Sequence, residues 1–377
     1  MKDSDNLLMV ADSDHDANML YATGMFVPDP FIYLRLRGRA TIVMSDLEID
    51  RARKQAPHCR VVSLSAYQKK LRAEGVKSPK LAHVIHTFMR ERGVRRVTAP
   101  HNFPLGLADE LRRLGVSVKA NPGGFFPERE QKSSAEVKKI SAALVMAEVG
   151  MAEAMQALRA SKIGRDGRLI HHNVPLTSEK LRSVIDTAIL QANGLAAHTI
   201  VAGGKQGCDP HECGYGPLRA NEPIIIDIFP RSQKTGYFGD ITRTVVRGRA
   251  SEGIRRLYDT VLRGQKLAFR KVRAGVPTTD VHQAVQEFFV QQGYKTGRRN
   301  GRMEGFFHGT GHGLGLDIHE SPRMGATSTG KLKPGHVVTV EPGLYYPELG
   351  GVRLEDVALV TTNSARNLTR FEKVLEI

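Results

Sequence analysis

The chain has 377 residues, 41% hydrophobic and 25% charged, enough length for two ordinary domains and the composition of a globular protein rather than a disordered or fibrous one. Its three cysteines, Cys59, Cys208 and Cys213, argue against a disulfide framework, and no apolar run is long enough for a bilayer span. The net charge of +16 raises nucleic-acid binding, but the basic residues lie in short scattered clusters (Arg35 to Arg39, Arg90 to Arg96, Lys295 to Arg302) without finger spacing, an aromatic RNA-binding box or a basic tail. Solvated basic faces that attract carboxylate-bearing ligands are the better account.

The acidic start, MKDSDNLLMVADSDHD, has no apolar signal segment, so the encoded N-terminus and a cytoplasmic location are expected. LLMVA, FIYLRL, ATIVMS and RVVSLS then read as strands. LAHVIHTFMRERG reads as an amphipathic helix stopped by Gly93, and VRRVTAP as a further strand. This alternation predicts an α/β domain with a mixed sheet. Asp12-Ser-Asp-His-Asp16 resembles a calcium loop, but Ala17 and Thr23 stand where glycine and glutamate are required.

Asn121-Pro-Gly-Gly-Phe-Phe-Pro127 is a turn-rich break, which divides the chain into domains over 1–128 and 129–377. Ser133-Ser-Ala-Glu136 is a capping-box start for a helix running to about Ala160. A second helix starts near Thr177, carries Leu181, Val184, Ile185, Ala188 and Ile189 on one face, and ends at Asn193-Gly194. A third covers Ser251 to Val272. From Ile224 onward strands dominate: IIIDIFP, DITRTVVRG, HVVTVEPGLYY and VRLEDVALVT. Cys208-Asp-Pro-His-Glu-Cys213 has poor spacing for a zinc knuckle and reads as a loop with reduced thiols.

Four acids stand out on these strands. Asp227 ends the run Ile224-Ile225-Ile226, where a charge is costly unless paired or bound to metal. Asp240 follows thirteen residues later, across a turn, so a hairpin would bring the two aspartates to corresponding heights. Glu341 follows Val337-Val-Thr-Val340, and Glu355 lies in Val352-Arg-Leu-Glu-Asp-Val357. Singly, each reads as a surface or salt-bridged acid; together they suggest a shared site. Two divalent cations would neutralise four carboxylates, and an oxygen-rich set with one imidazole suits Mn²⁺, Co²⁺, Fe²⁺ or Zn²⁺. Such a pair activates a shared water and polarises a carbonyl, which points to hydrolysis.

Between the two acid pairs lies HGTGHGLGLDIH, with His308, His312 and His319 among alternating glycines. The spacing is not that of a dinucleotide loop. It suits a strand closely approached by backbone or ligand, with His308 and His312 on one face and His319 brought to them by a bend. The remaining histidines outside this segment, His282 and His336 among them, read as structural or surface residues; His211 is the exception considered next.

The ordered set Asp227, Asp240, His312, Glu341 and Glu355, with DITRT, HGTGHGLGLDIHE, VEPGLYY and GVRLEDVALVT around it, resembles the pita-bread metallopeptidases of the Xaa-Pro aminopeptidase and prolidase type. The N-terminal region, including MLYATGM, resembles the creatinase-like domain of the proline-specific members. The resemblance implies an α+β pita-bread catalytic domain behind the α/β domain, a homodimer, and hydrolysis of the bond preceding proline by a hydroxide shared between two metals. It further implies that Asp227 chelates one metal, that Asp240 and Glu355 bridge both, and that His312 and Glu341 complete the ligand set of the other metal, with Glu341 as general base. His319 would stabilise the tetrahedral intermediate, His308 would line the pocket, and His211 would close the other side of the cleft. Arg353 would orient a ligand carboxylate, and Arg323 resembles the arginine that receives a dipeptide's terminal carboxylate. The Asp227–Asp240 spacing is two residues longer than is usual in the family, an even number that preserves strand parity. Two alternatives share the fold: a metal-free creatinase-like C–N hydrolase and a noncatalytic peptide-binding module.

Overall fold

The computed structural model describes residues 6–121 and 123–377; the first residues of the acidic start and Pro122 in the turn-rich break lie outside them. The chain divides into two compact units after Arg129.

The first unit is built on a six-stranded mixed sheet. From one edge to the other the strands are Arg60–Ser63, Arg39–Met44, Phe31–Leu36, Leu7–Ala11, Arg96–Pro100 and Ser117–Asn121. The central pairs are antiparallel and the outer ones parallel. Period-two alternation sends Leu8, Val10, Ile32 and Leu34 to one core, and Leu7, Met9, Phe31 and Tyr33 to another on the opposite face. RVVSLS is strand only to Ser63, because the Ser63 hydroxyl accepts the Ala66 N–H and starts the helix Leu64–Ala73. Asp16, in the segment resembling a calcium loop, caps the helix Ala17–Thr23 instead. Phe125 and Phe126 of the turn-rich break are buried in the core of this unit, so that segment is anchored rather than free.

The second unit has two similar halves. In one, the helices Ser134–Ala160 and Ser178–Gln191 pack on an antiparallel sheet of Ile200–Gly203, Pro223–Ile228 and Ile241–Val246. Ser133 and Glu136 form the expected reciprocal capping box, and Thr177 caps the second helix. In the other half, the helices Glu252–Lys271 and Thr278–Gln291 pack on a five-stranded antiparallel sheet. Its order is Glu320–Met324, Gly311–Gly313, Val337–Val340, Asp356–Val360, Ala365–Asn367.

Thr278–Gln291 corrects the expectation that strands dominate after Ile224. Its β-branched and aromatic residues mask a helical spacing of Val281, Val285 and Phe289, all buried. A second correction concerns HVVTVEPGLYY and VRLEDVALVT, each of which is two strands. Val337–Val340 and Asp356–Val360 pair in the large sheet, whereas Gly343–Tyr346 and Gly350–Arg353 form a separate hairpin. Glu341 and Glu355 fall at the two places where the chain leaves one sheet for the other.

Candidate active site

Three structural switches deliver the acids to one place. Asp227 sits near the end of Pro223–Ile228, and its cross-strand partner is Thr242. Asp240 is therefore two residues farther along the same face rather than directly opposite. The longer turn between them is ordered: Arg231–Ser232 pairs with Gly194–Leu195, and the Gly239 N–H bonds to the Pro230 carbonyl. Glu341 and Glu355 come from the two sheet-to-sheet crossings. His312 lies on Gly311–Gly313, where a register shift after His312 turns the chain into the bend that carries His319. A side chain at Gly313 would run into the Ser321 carbonyl, so the alternating glycines serve close backbone packing.

The ten residues singled out in the sequence all line one cleft of about 640 Å³: His211, Asp227, Asp240, His308, His312, His319, Arg323, Glu341, Arg353 and Glu355. His312 Nε2 lies 3.2 Å from Glu341 Oε1 and 3.7 Å from Asp240 Oδ2. The His312 and His319 rings meet edge to face, with centroids 4.4 Å apart. Arg353 Nη2 donates to Asp227 Oδ2 at 2.7 Å and Arg353 Nη1 to the Tyr345 hydroxyl at 3.1 Å. It is thus engaged with an acid of the cluster. Arg323, opposite His312 across the ladder, is exposed on the cleft wall and has no ion-pair partner among the described residues. His211 is exposed on a loop, its backbone N–H held by Asp209.

The electrostatics are unbalanced. Burial, with repulsion from Asp227 and Glu341, raises the Asp240 carboxyl well above the usual range despite His312. Glu355 is raised likewise by burial and then by Asp240, Glu341 and Asp227. Glu341 behaves oppositely: burial disfavours its charge, but the hydrogen bond and charge of His312, with His308 and Arg353, hold it down to about 2. Burial lowers His308 to about 4, and burial together with His312 and Arg323 lowers His319 to about 4. Two carboxylate oxygens, Asp227 Oδ1 and Glu355 Oε1, are buried with no hydrogen-bond partner.

A buried oxygen without a donor normally costs about 1–3 kcal/mol, more when charged, so this cluster lacks positive charge that the protein does not supply. Asp240, His312 and Glu355 each offer a ligand atom, all within 4.8 Å of one another. The donor set therefore fits divalent cations.

Sequence reasoning missed Tyr345. It is fully buried, and its hydroxyl meets His308 Nε2 at 2.8 Å as well as Arg353. The signal lay in the hairpin register: Gly343 pairs with Arg353 and Tyr345 with Gly351, which puts Tyr345 and Arg353 on one face. Thr242 was also missed; its hydroxyl donates to Glu355 Oε2 at 2.8 Å.

The chain is similar to known proteins in sequence and in fold. A stretch of 191 residues is 36% identical to an Xaa-Pro dipeptidase of Pyrococcus furiosus, covering 50% of this chain and 52% of that protein. The chain thus spans about half the length of that relative. Over 289 residues it is 28% identical to an Xaa-Pro dipeptidase of Pyrococcus horikoshii, covering 75% of each. A solved structure described as Xaa-Pro dipeptidase from Bacillus anthracis superposes with a TM-score of 0.83 at 22% identity, over 99% of this chain and 95% of that one, a likeness of fold. The second unit has the pita-bread architecture, preceded in the chain by the α/β unit. Among the described residues no helix is long and apolar enough to cross a membrane. The sequence pattern of metallopeptidase family M24 matches residues 138–362, and the chain belongs to that family.

Proposed function

We propose that the protein hydrolyses the peptide bond preceding proline in Xaa-Pro dipeptides and short Xaa-Pro peptides, with two divalent cations held by Asp227, Asp240, His312, Glu341 and Glu355. The observation that carries this reading is the convergence of four acids, Asp240 and Glu355 buried and Asp227 and Glu341 half-buried, with one imidazole in a single cleft, two acid oxygens being left without donors. Names of the curated relatives as Xaa-Pro dipeptidases support the substrate class. When bound, the cations would supply a water ionised at neutral pH and a Lewis acid for the scissile carbonyl. Mn²⁺ is the first choice for this donor set, with Co²⁺, Fe²⁺ and Zn²⁺ as alternatives. The family resemblance implies a homodimer, the cytoplasm is its expected setting, and sedimentation of the purified protein measures the oligomer.

The side chains have distinct tasks. Asp240 and Glu355 would serve both cations and Asp227 one of them, its carboxylate oriented by Arg353 through their 2.7 Å bond. Glu341, ionised beside His312 and met at Oε1 by the Thr339 hydroxyl and the His312 ring, would be a further ligand and the general base toward the attacking water. His319, neutral at pH 7, donates an N–H to the oxygen that gains charge as the carbonyl is attacked. His308, fixed by Tyr345 and the Gly309 carbonyl, lines the pocket. His211 closes the opposite wall. Arg323 receives a terminal carboxylate, which favours dipeptides over longer peptides. Proline at the scissile bond has no N–H to offer, so recognition of its nitrogen side falls to shape and to these cations.

The test is hydrolysis of Gly-Pro and Ala-Pro against longer Xaa-Pro-Yaa peptides, with Mn²⁺ or Co²⁺ added to stripped protein. Activity with metal and none with chelator is expected, and Arg323→Ala should raise KM for dipeptides selectively. Full activity in thoroughly metal-stripped protein would sink the mechanism.

A further inference from the structure

The loop that carries His319 is organised around a buried ion pair outside the ligand set. Lys132 Nζ lies 2.9 Å from Glu320 Oε2, with side-chain exposures of 1% and 8%. The other carboxylate oxygen, Oε1, accepts the backbone N–H groups of Leu316 at 2.9 Å and Asp317 at 3.0 Å. A side chain at Gly315 would meet both Glu320 oxygens, at 2.7 and 2.8 Å, so glycine there leaves the carboxylate its place. The Gly315 carbonyl is held in turn by the Phe238 N–H at 2.9 Å, and Lys132 is anchored by its own N–H on the Gly335 carbonyl at 2.7 Å. The bend between His312 and His319 thus has its amides fixed by the residue directly after His319, and that residue is fixed by Lys132.

A buried pair of this kind roughly breaks even in stability against apolar residues of the same volume, so its contribution has to be sought in geometry. We propose that Lys132 and Glu320 are positioning residues that hold the Leu314–His319 bend and thereby set where the His319 ring faces the cleft. This rests on the reading of His319 as a substrate-facing group. Neither residue touches the substrate or the ligand acids; Glu320 acts through the two amides, and Lys132 through Glu320.

The experiment compares wild type, Lys132→Met, His319→Ala and the double variant, as Mn²⁺-loaded enzyme acting on Ala-Pro, with metal content measured for each. Lys132→Met should lower kcat on the order of ten- to a hundredfold, as expected for a catalytic group displaced by about 1 Å. KM should move by less than about threefold and bound metal should not change. In the His319→Ala background the same substitution should cost less than about twofold, because residues acting as a unit are not additive. Independently of activity, amide exchange at Leu316 and Asp317 should accelerate in Lys132→Met protein while exchange in the helix Thr278–Gln291 does not. Additive losses in the double variant, or unchanged protection of the two amides, would overturn the assignment. If the wild type hydrolyses no Xaa-Pro peptide, the functional reading fails while the exchange measurement still decides the positioning role. Should Lys132→Met not fold, Glu320→Gln, which removes the charge that Lys132 pairs with and weakens the acceptor of the two amides, carries the same comparison.

Discussion

Glu355 and Asp356 are neighbours in the chain and almost equally buried, with exposures of 2% and 1%, yet their surroundings differ in kind. Asp356 is saturated: Arg243 Nη2 donates to it at 2.9 Å, Asn367 Nδ2 at 2.9 Å, and Lys373 forms a close ion pair. Arg243 spends its remaining donors on the carbonyls of Thr242, Glu355, Phe371 and Glu372. Glu355, facing the cleft, receives the Thr242 hydroxyl on Oε2, keeps Oε1 without a partner, and is pushed up by burial and three other acids. The protein can therefore neutralise a buried acid completely at this depth, and one residue away it does not. A shortfall of charge beside a fully balanced network is a property of the site, not of the fold's inability to supply cations.

This contrast can be broken at several points. The largest effect belongs to the cleft: Asp240→Ala should lose bound metal and cost more activity than the roughly 10²–10³-fold that one oxyanion donor supplies elsewhere, as read by metal stoichiometry and Ala-Pro hydrolysis. Next comes stability, where the two acids should respond with opposite signs. Asp356→Ala leaves Arg243 buried without its acid and should cost about 3–5 kcal/mol in urea unfolding. Glu355→Gln, measured in chelator, should be neutral or stabilising, because it replaces an acid whose ionisation burial and three neighbouring acids oppose. Added Mn²⁺ should then stabilise wild type by about 2.7 kcal/mol at a hundredfold excess over Kd, and Glu355→Gln much less. An equal loss from both substitutions in chelator would erase the distinction between the clusters.

The smallest effect separates burial from metal chemistry. His336, buried just before the strand Val337–Val340, is lowered from 6.5 to about 4 by burial and by Lys132 and Lys333. The unfolded chain binds a proton there more readily, so the contribution of neutral His336 is complete above about pH 6.5 and is lost as pH falls towards about 4. His336→Gln should flatten the stability profile in that window and leave metal content unchanged.

The chemistry of the cleft was more legible than its architecture. Acids at the ends of apolar runs are costly anywhere, so Asp227, Asp240, Glu341 and Glu355 drew notice from residue type alone, and the structure brings them to one cleft. What the pattern hid was where strands stop. The runs containing Glu341 and Glu355 read as continuous because periodicity does not report which sheet a residue pairs with, and pairing is a long-range property. The helix Thr278–Gln291 was hidden because its Val, Thr and Phe favour strands until packing against the neighbouring helix decides otherwise. Lys132 carries no local signal of its role, because its partner Glu320 lies 188 positions away.

The opposite facing of Glu355 and Asp356 also works as a proofreading device for strand register. Were Asp356–Val360 to slip by one position against Val337–Val340, every side chain would change face. Asp356 would enter the cleft, while Arg243 and Lys373 would confront an apolar strand surface with their charges unanswered. The balanced pair thus penalises the wrong alignment on one side of the strand, and the right alignment is the one that delivers Glu355 to the other.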